Sequence, residues 1–473
     1  MVFSSNLFLF AFLPAAIIGY YAVKLTAPGL RNAFLFAISC FFYFWGSGQI
    51  ALLFLGAVAV NHVLAVRISH SRPRVAKALF VFGVCFNLAW LLYFKYLNFF
   101  WDNFRALSSF AGIQLPEITA IALPIGISFY TFQCIAYLSD AYTGRQKPAR
   151  SMLDYGTYLA FFPHVVAGPI VRYSDIDAEI RHRAESLQLF AEGIWRFALG
   201  IGKKVVIANS LGAVADELFG LPAAELSLAQ AWLGAVCYTF QIYFDFSGYS
   251  DMAIGLARMF GFHFPENFNQ PYRSHSVTEF WRRWHMTMSN WFRDFLYIPL
   301  GGNRLGPRRT YFNLWAVFLL CGLWHGAAWT FVAWGMWHGA LLVSERWAKE
   351  RHGFEPKGVA GNLVTFFLVV VGWVFFRADT LSQAFDFLGR MFLITSPSVQ
   401  SQLSALQQLT PDVCASMALA IVFAWLPVEK LGRVRLPAPL TCCAQGCVSL
   451  ALLLYSAAAL SKSGFNPFIY FRF

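Results

Sequence analysis

The chain has 473 residues, of which 58% are hydrophobic and only 13% are charged. Soluble domains carry roughly 25% charged residues, so this composition excludes an ordinary soluble enzyme and indicates a protein surrounded by lipid. Lysine plus arginine outnumber aspartate plus glutamate by 36 to 24. In a membrane protein this excess marks cytoplasmic loops and not a nucleic-acid partner.

The apolar runs are continuous, which predicts membrane-spanning helices. We expect an all-α polytopic membrane protein of about 11–12 transmembrane helices, with re-entrant and interfacial helices, in a single domain of residues 1–473. The predicted spans are 6–24, 33–45, 49–66, 77–94, 118–139, 190–210, 230–257, 310–326, 328–345, 359–376, 412–428 and 445–461. Residues 153–171 are apolar but contain Pro163 and Pro169, so a re-entrant segment is predicted there, with His164 as a structural residue.

Basic side chains cluster in alternate loops, at residues 24–31, 67–77 and 145–150. The positive-inside rule assigns these loops to the cytoplasm and the N-terminus to the outside. Residues 273–309, with seven arginines, are predicted to form a basic cytoplasmic or interfacial segment that leads into the next helix. The loop 211–229 has acidic and no basic side chains and is predicted to be external.

His325 ends a mostly apolar run that begins after Arg309, which predicts a position deep in the bilayer. Ionisable side chains within a membrane are costly and mark functional sites. A shielded imidazole can stay neutral and act as a base near pH 7; the alternative is a packing histidine bonded to a carbonyl. A second Trp-His-Gly triplet places His338 thirteen residues later, and His338, like His62 and His263, is interpreted as a packing or interface residue. On one continuous helix the two would face nearly opposite sides, so they could share a pore only if the helix breaks near Gly326.

His285 lies in a stretch whose periodicity predicts a helix with Trp281 and Trp284 on the same face. One interpretation is an amphipathic interfacial helix with an aromatic belt. The other is the lid of an acyl-donor tunnel, in which Arg282 and Arg283 meet phosphate groups. The two interpretations are compatible.

Asp245 and Asp251 lie within an otherwise apolar predicted helix, on either side of Ser247. Six residues separate the carboxylates, so they point in different directions and are expected to have separate partners. A structural salt bridge to a nearby arginine is the alternative to a binding role. An amide-rich turn before Pro271 could bond polar ligand groups or cap a helix; its amides are Asn267, Asn269 and Gln270.

Several catalytic signatures do not occur in the chain. There is no GxxxxGK[ST], GxSxG, HExxH or GxGxxG motif, which argues against an ATP-driven pump, a serine hydrolase, a zinc protease and a dinucleotide oxidoreductase. No CxxC pair is present either, so no metal site is predicted.

The runs 280–285 (FWRRWH) and 323–326 (LWHG) resemble the motifs of the membrane-bound O-acyltransferase (MBOAT) superfamily, and within it the bacterial alginate O-acetylation branch. The likeness covers most of the chain to about residue 345, is weak over about 380–445, and returns at the C-terminus. Other matching segments are 1–6, 123–130, 162–164, 167–170, 243–251, 266–272, 297–304 and 466–471.

The resemblance implies an MBOAT-type helix bundle in the bacterial inner membrane that passes an acetyl group from cytoplasmic acetyl-CoA, a substrate and not a bound cofactor, to an exported polysaccharide. The superfamily's invariant histidine corresponds to His325 and its second motif histidine to His285. The tunnel or donor-binding candidates are Trp281, Arg282, Arg283, Trp284, Trp324, Asp245, Ser247, Asp251, Asn267, Asn269 and Gln270. The implied partners are a periplasmic SGNH-type acetyltransferase, acetyl-CoA and membrane lipid, with no nucleic acid.

Alternatives remain open at the level of sequence. The final acceptor is expected to be alginate, but the same relay could serve cellulose, peptidoglycan or another cell-surface polymer, and D-alanylation of teichoic acid uses a related protein. A different class is a non-catalytic transporter of the polymer or the acetyl donor, or a scaffold. A transporter would work with both histidines replaced.

Overall fold

A computed structural model of the protein describes residues 2–393, 407–426, 437–462 and 469. These residues form helices and turns and include no β-strand, as the all-α prediction requires. In chain order the α-helices are α1 Leu13–Thr26, α2 Arg31–Ser47, α3 Ala51–His70, α4 Pro73–Leu91, α5 Leu97–Phe110, α6 Ile127–Thr143, α7 Met152–Ala160, α8 Tyr173–Arg181, α9 Leu187–Gly202, α10 Asn209–Gly220, α11 Leu228–Met259, α12 Val277–Arg283, α13 Met286–Phe292, α14 Pro307–His325, α15 Trp329–His352, α16 Gly358–Arg377, α17 Leu381–Met391, α18 Pro411–Trp425 and α19 Ala438–Lys462.

Six helical stretches of the described chain are long and apolar enough to cross a membrane: Phe8–Thr26, Pro28–His70, Pro73–Phe110, Leu187–Gly220, Gly358–Arg377 and Pro439–Lys462. The stretch Pro28–His70 holds two predicted spans, because a single 3₁₀ turn joins α2 to α3. The protein is therefore a multi-pass membrane protein. The larger number of crossings stays a prediction.

In two predicted segments a helix covers only part of the predicted range. The span predicted at 118–139 is wrong at its start, because α6 begins only at Ile127. Gly126 precedes it with φ 74°, and a Cβ there would overlap the carbonyl oxygen of Val165. In the predicted re-entrant segment, α7 ends at Ala160 and irregular, buried chain follows over 161–171. The segments 1–6 and 466–471 extend beyond the described residues, which there include 2–6 and Ile469.

The chain forms two compact units. The first contains Met1–Gly193 and Ala253–Pro265. Two buried histidines in this unit make ordinary structural hydrogen bonds. The amide of Gln133 lies 2.8 Å from Nδ1 of His164, and Nδ1 of His62 lies 3.4 Å from the Tyr137 hydroxyl. This bonding agrees with a packing role for both.

The second unit contains Ile194–Met252 and Glu266–Phe473, and it holds every candidate site residue. Within this unit α14 and α15 pack against each other as a helical hairpin. A Cβ at Gly322 would overlap the carbonyl oxygen of Phe331, and one at Gly335 would overlap that of Phe318. The two helix backbones can therefore approach closely only because both positions are glycine.

Candidate active site

The helix that carries His325 ends at that residue. Gly326 is extended, and α15 starts at Trp329. The break near Gly326, which the two Trp-His-Gly triplets require if they are to share one site, is therefore present. His325 lies eighteen residues after Pro307, about 27 Å along the helix axis at 1.5 Å per residue.

Trp334 joins His325 to His338. Its ring centroid lies 5.0 Å from that of His325 and 5.0 Å from that of His338. Trp281 donates its indole N–H to Nδ1 of His338 at 3.2 Å. His338 is completely buried, so it belongs to the same cluster as the predicted catalytic histidine. Sequence reasoning left it as a packing residue, and the repeated triplet is the signal that could have identified it.

The prediction of one helix through His285 is wrong. α12 ends at Arg283 and α13 begins at Met286, and His285 between them adopts φ 42° and ψ 54°. This left-handed conformation is uncommon for a residue with a Cβ. It occurs here with the imidazole completely buried. Trp281 and Trp284 are buried as well, so this stretch is a core element of the second unit and not an interfacial aromatic belt.

Asn267 determines which nitrogen of His285 carries the proton. The backbone N–H of Thr287 donates to Oδ1 of Asn267 at 3.3 Å, and the Thr287 hydroxyl donates to it at 2.8 Å. Because Oδ1 is thereby fixed as an acceptor, Nδ1 of His285, 3.1 Å away, must be the donor. The lone pair of the neutral imidazole is then on Nε2. Burial lowers the pKa of His285 from its ordinary 6.5 to about 3, so this ring is neutral at physiological pH.

Both predicted catalytic histidines contact the indole ring of Trp324. The His285 and Trp324 centroids are 6.1 Å apart, and those of Trp324 and His325 are 4.9 Å apart. Trp324 is buried. The structure therefore brings His285 and His325 together in one water-poor aromatic cluster, which we call the histidine–tryptophan cluster (His285, Trp324, His325, Trp334 and His338). Such a site can hold neutral bases and exclude water as a competing acceptor.

The two carboxylates predicted on one helix have separate partners, as expected. Asp251 accepts bonds from Arg196 at 2.8 Å and from Lys203 at 2.6 Å. Asp245 pairs with Lys204 at 2.6 Å and accepts the backbone N–H of Ile469 at 2.8 Å. Both carboxylates are buried, and this bonding indicates a structural role. Ser247, between them on α11, is buried too.

The remaining candidates are the two arginines and the two amides outside the cluster; some of their side chains are hydrogen-bonded within the protein and others are exposed. Arg283 pairs with Glu279 at 2.9 Å and donates to the backbone oxygen of the exposed Asn269 at 3.2 Å. The side-chain amide of Gln270 donates to the carbonyl oxygens of Phe423 and Leu426. Arg282 is exposed. Of the two arginines predicted to meet phosphates, Arg282 is thus the more available for a ligand.

A cavity of about 210 Å³ lies beside the cluster. It is lined by Asp216, Tyr238, Gln241, Ala328, Thr330, Phe331, Phe376, Arg377, Ala378, Asp379 and Ile469, and we call it the Gln241 cavity. The ring of Phe376 lies 5.2 Å from that of His325. Sequence reasoning did not identify this cavity, because its lining comes from five separate parts of the chain. In the described part of the chain no group of three His, Cys, Asp or Glu side chains is placed to hold a metal ion.

Known proteins resemble this chain over most of its length. Residues 149–377 match the family described as MBOAT, membrane-bound O-acyltransferase family. The chain is 46% identical over 83% of its length to the Pseudomonas aeruginosa protein named Probable alginate O-acetylase AlgI, covering 75% of that protein. The chain belongs to the membrane-bound O-acyltransferase family.

Two further relatives extend the comparison. The Pseudomonas putida protein, also named Probable alginate O-acetylase AlgI, is 42% identical over 100% of both chains. The Helicobacter pylori protein named Peptidoglycan O-acetyltransferase is 38% identical over 83% of this chain and 80% of its own length. As a membrane-bound O-acyltransferase, this protein transfers acyl groups to hydroxyl oxygens. The region that matches the family includes both His285 and His325.

Proposed function

We propose that the protein takes an acetyl group from cytoplasmic acetyl-CoA and passes it across the bacterial inner membrane for O-acetylation of an exported polysaccharide, namely alginate. The observation that carries the proposal is the meeting of His285 and His325 on the Trp324 ring. The relatives named alginate O-acetylase, one of them aligned over the full length of both chains, support the acetyl group and the polymer.

In this proposal His325 is the general base. It takes the proton of the acceptor hydroxyl while the hydroxyl oxygen attacks the thioester carbonyl. His285 orients the donor or the acceptor, and its Nε2 lone pair accepts a hydrogen bond. The N-terminus lies on the periplasmic side, and the exposed Arg282 is a contact for the phosphates of the donor. A periplasmic SGNH-type acetyltransferase receives the acetyl group and completes its delivery.

The test uses the full-length protein in nanodiscs with radiolabelled acetyl-CoA and the purified SGNH-type partner. We expect label on the partner with wild type and a loss of about 100-fold or more with His325→Ala, the range that general-base catalysis supplies. His263→Ala is the matched control, because His263 is exposed and bonded to Glu179 in the first unit. Transfer that survives His325→Ala would refute the assignment of the base.

A second polymer is favoured by one observation, the 38% identity to a peptidoglycan O-acetyltransferase over 83% of the chain. A gene deletion in the host distinguishes the two polymers. The measurement is ester-bound acetate on isolated alginate and on isolated peptidoglycan. Loss of acetate from alginate alone supports our proposal. Loss of acetate from peptidoglycan alone would show that peptidoglycan is the acceptor polymer, and the proposed acyl transfer would still hold.

A further inference from the structure

The predicted cytoplasmic end of the α14–α15 hairpin carries three arginines beside an exposed apolar stripe. We propose that these arginines, Arg304, Arg308 and Arg309, form a binding site for the phosphate of an anionic phospholipid whose acyl chains lie along α14. We call the three residues the arginine patch. This inference concerns the surface of the second unit and is independent of the proposed acyl transfer.

The charges of the arginine patch are not compensated within the protein. All three arginines are exposed, and no carboxylate of the described residues pairs with them. Two other basic side chains at this end of the hairpin differ in this respect. Arg346 pairs with Glu350 at 2.7 Å, and Lys349 pairs with Glu355 at 2.5 Å. The arginine patch is therefore available to an external anion, and guanidinium groups bind phosphate oxygens through paired N–H donors.

The loop that leads into α14 is held against that helix by hydrogen bonds. The completely buried Asn313 donates its side-chain amide to the carbonyl oxygens of Gly302 at 2.9 Å and Leu300 at 3.3 Å. Nε of Arg309 donates to the same oxygen of Leu300 at 3.3 Å. Gly302 adopts φ 56°, a left-handed conformation that glycine permits without strain. Because these bonds fix the loop before a ligand arrives, binding loses little conformational entropy.

An exposed apolar stripe begins one helical turn after Arg308. It consists of Phe312, Trp315 and Leu319, whose side chains are 57%, 37% and 36% exposed. They follow Arg308 at spacings of four, seven and eleven residues, which places them on the same face of α14. The guanidinium of Arg309 lies over the Phe312 ring, 5.1 Å from its centroid. Positive and apolar groups therefore follow one another along one surface, as the headgroup and acyl chains of a lipid do.

The length of this surface matches one leaflet of a bilayer. The eleven residues from Arg308 to Leu319 extend about 16 Å along the axis at 1.5 Å per residue. Half of a hydrocarbon core of ~30 Å is about 15 Å. An acyl chain that begins at the level of Arg308 can therefore contact the whole stripe. An anionic headgroup is favoured because the cytoplasmic leaflet carries anionic lipids that attract basic segments.

A soluble phosphate compound fits only part of this surface. Inorganic phosphate or the phosphates of coenzyme A could bond to the arginine patch, but neither compound would contact Phe312, Trp315 and Leu319. A phospholipid contacts both the arginines and the stripe. We therefore assign the arginine patch to a lipid, and the experiment includes coenzyme A as the competing ligand.

The experiment uses the full chain in mixed micelles that contain equal amounts of phosphatidylglycerol and phosphatidylcholine. Both lipids have a phosphodiester and acyl chains, but only phosphatidylglycerol has a net negative charge. Native mass spectrometry measures the ratio of the two lipid adducts. We expect phosphatidylglycerol adducts to exceed phosphatidylcholine adducts by about tenfold or more.

The double variant Arg304→Gln/Arg308→Gln tests the arginine patch. Both side chains are exposed, and the bond from Arg309 to Leu300 stays in place, so the variant is expected to fold. Its melting temperature in phosphatidylcholine alone should equal that of wild type. The adduct ratio should fall about tenfold or more, since each basic residue near an anionic surface contributes about fivefold.

The matched control is the double variant Arg346→Gln/Lys349→Gln. It removes the same charge from the same end of the hairpin, but from side chains that already pair with carboxylates. Exposed pairs of this kind contribute little to stability, so this variant is expected to fold as well. The adduct ratio should change by less than about twofold, because the charge of each side chain is already compensated.

Three outcomes would overturn the lipid site. The first is an adduct ratio that Arg304→Gln/Arg308→Gln leaves unchanged. The second is an equal loss in both double variants, which would show a general effect of surface charge. The third is a loss of coenzyme A affinity in Arg304→Gln/Arg308→Gln with an unchanged adduct ratio, which would assign the arginines to the donor. The His325-dependent label on the partner tests the proposed function separately, so either proposal can fail without the other.

Discussion

Two buried polar regions of the second unit differ in the neighbours of their ionisable side chains. On α11, Asp245 and Asp251 are each neutralised by basic side chains at 2.6–2.8 Å. In the histidine–tryptophan cluster, the imidazoles of His285, His325 and His338 alternate with indole rings at 4.9–6.1 Å. The first region consists of paired ions, and the second consists of imidazoles packed among aromatic rings.

The difference separates structural from catalytic candidates. A carboxylate that is paired with two cations has little capacity left for a substrate, and removing a partner mainly leaves a buried charge uncompensated. An imidazole among aromatic rings is protected from water and keeps its neutral, basic form. Burial alone therefore did not distinguish the two kinds of residue, whereas the identity of their neighbours does.

The largest expected effect in this comparison is on stability. Asp251→Ala leaves Arg196 and Lys203 without their shared carboxylate, which should reduce the free energy of unfolding by about 3 kcal/mol. Activity per folded molecule should be kept. The measurement is the melting temperature in detergent together with specific activity. Glu350→Ala, which breaks an exposed pair with Arg346, is the control and should leave the melting temperature unchanged. If Asp251→Ala folded normally and abolished transfer, Asp251 would belong to the catalytic group.

An intermediate effect is expected from the residue that orients His285. Asn267→Ala removes the acceptor of the Nδ1 proton, and supporting residues of this kind contribute about 10–100-fold to activity. The rate of acetyl transfer should fall by that factor. The decisive comparison is with His285→Ala. If Asn267 acts only through His285, the double variant Asn267→Ala/His285→Ala should be no slower than His285→Ala alone. Additive losses would show that Asn267 acts by another route.

The smallest effect is a dependence of stability on pH. Because burial lowers the pKa of His285 from 6.5 to about 3, the unfolded chain binds a proton below pH 6.5 that the folded chain does not. The free energy of unfolding is therefore unaffected by His285 above pH 6.5 and decreases as the pH falls below that value. The expected decrease between pH 7 and pH 5.5 is about 1 kcal/mol. Melting curves of wild type and His285→Gln at those two pH values test this. An equal change in melting temperature between the two pH values for wild type and His285→Gln would contradict this prediction.

Much of the fold could be predicted because composition and hydrophobic runs determine it. The spans predicted at 310–326 and 359–376 correspond to α14, Pro307–His325, and α16, Gly358–Arg377. The start of α6 could not be predicted, since it depends on Gly126 fitting against Val165, a residue distant in sequence.

Part of the candidate site could also be predicted, but from motifs and helix geometry and not from composition. Motifs selected His285 and His325 as candidates, and the structure places both rings against Trp324. The separate partners of Asp245 and Asp251 followed from helix geometry. The left-handed turn at His285 was missed, because aromatic periodicity on both sides of it suggested one continuous helix. The Gln241 cavity was missed because no local pattern links Asp216 to Phe376.

The glycine contacts between α14 and α15 have a consequence for assembly of the protein. The residues that touch in this hairpin are close in sequence, as Gly322 and Phe331 are, so closing it costs little chain entropy. Contacts of low sequence separation form rapidly. We expect His325 and His338 to be positioned as soon as the ribosome has delivered this hairpin. His285, although synthesised earlier, completes the cluster by docking against a hairpin that has already formed.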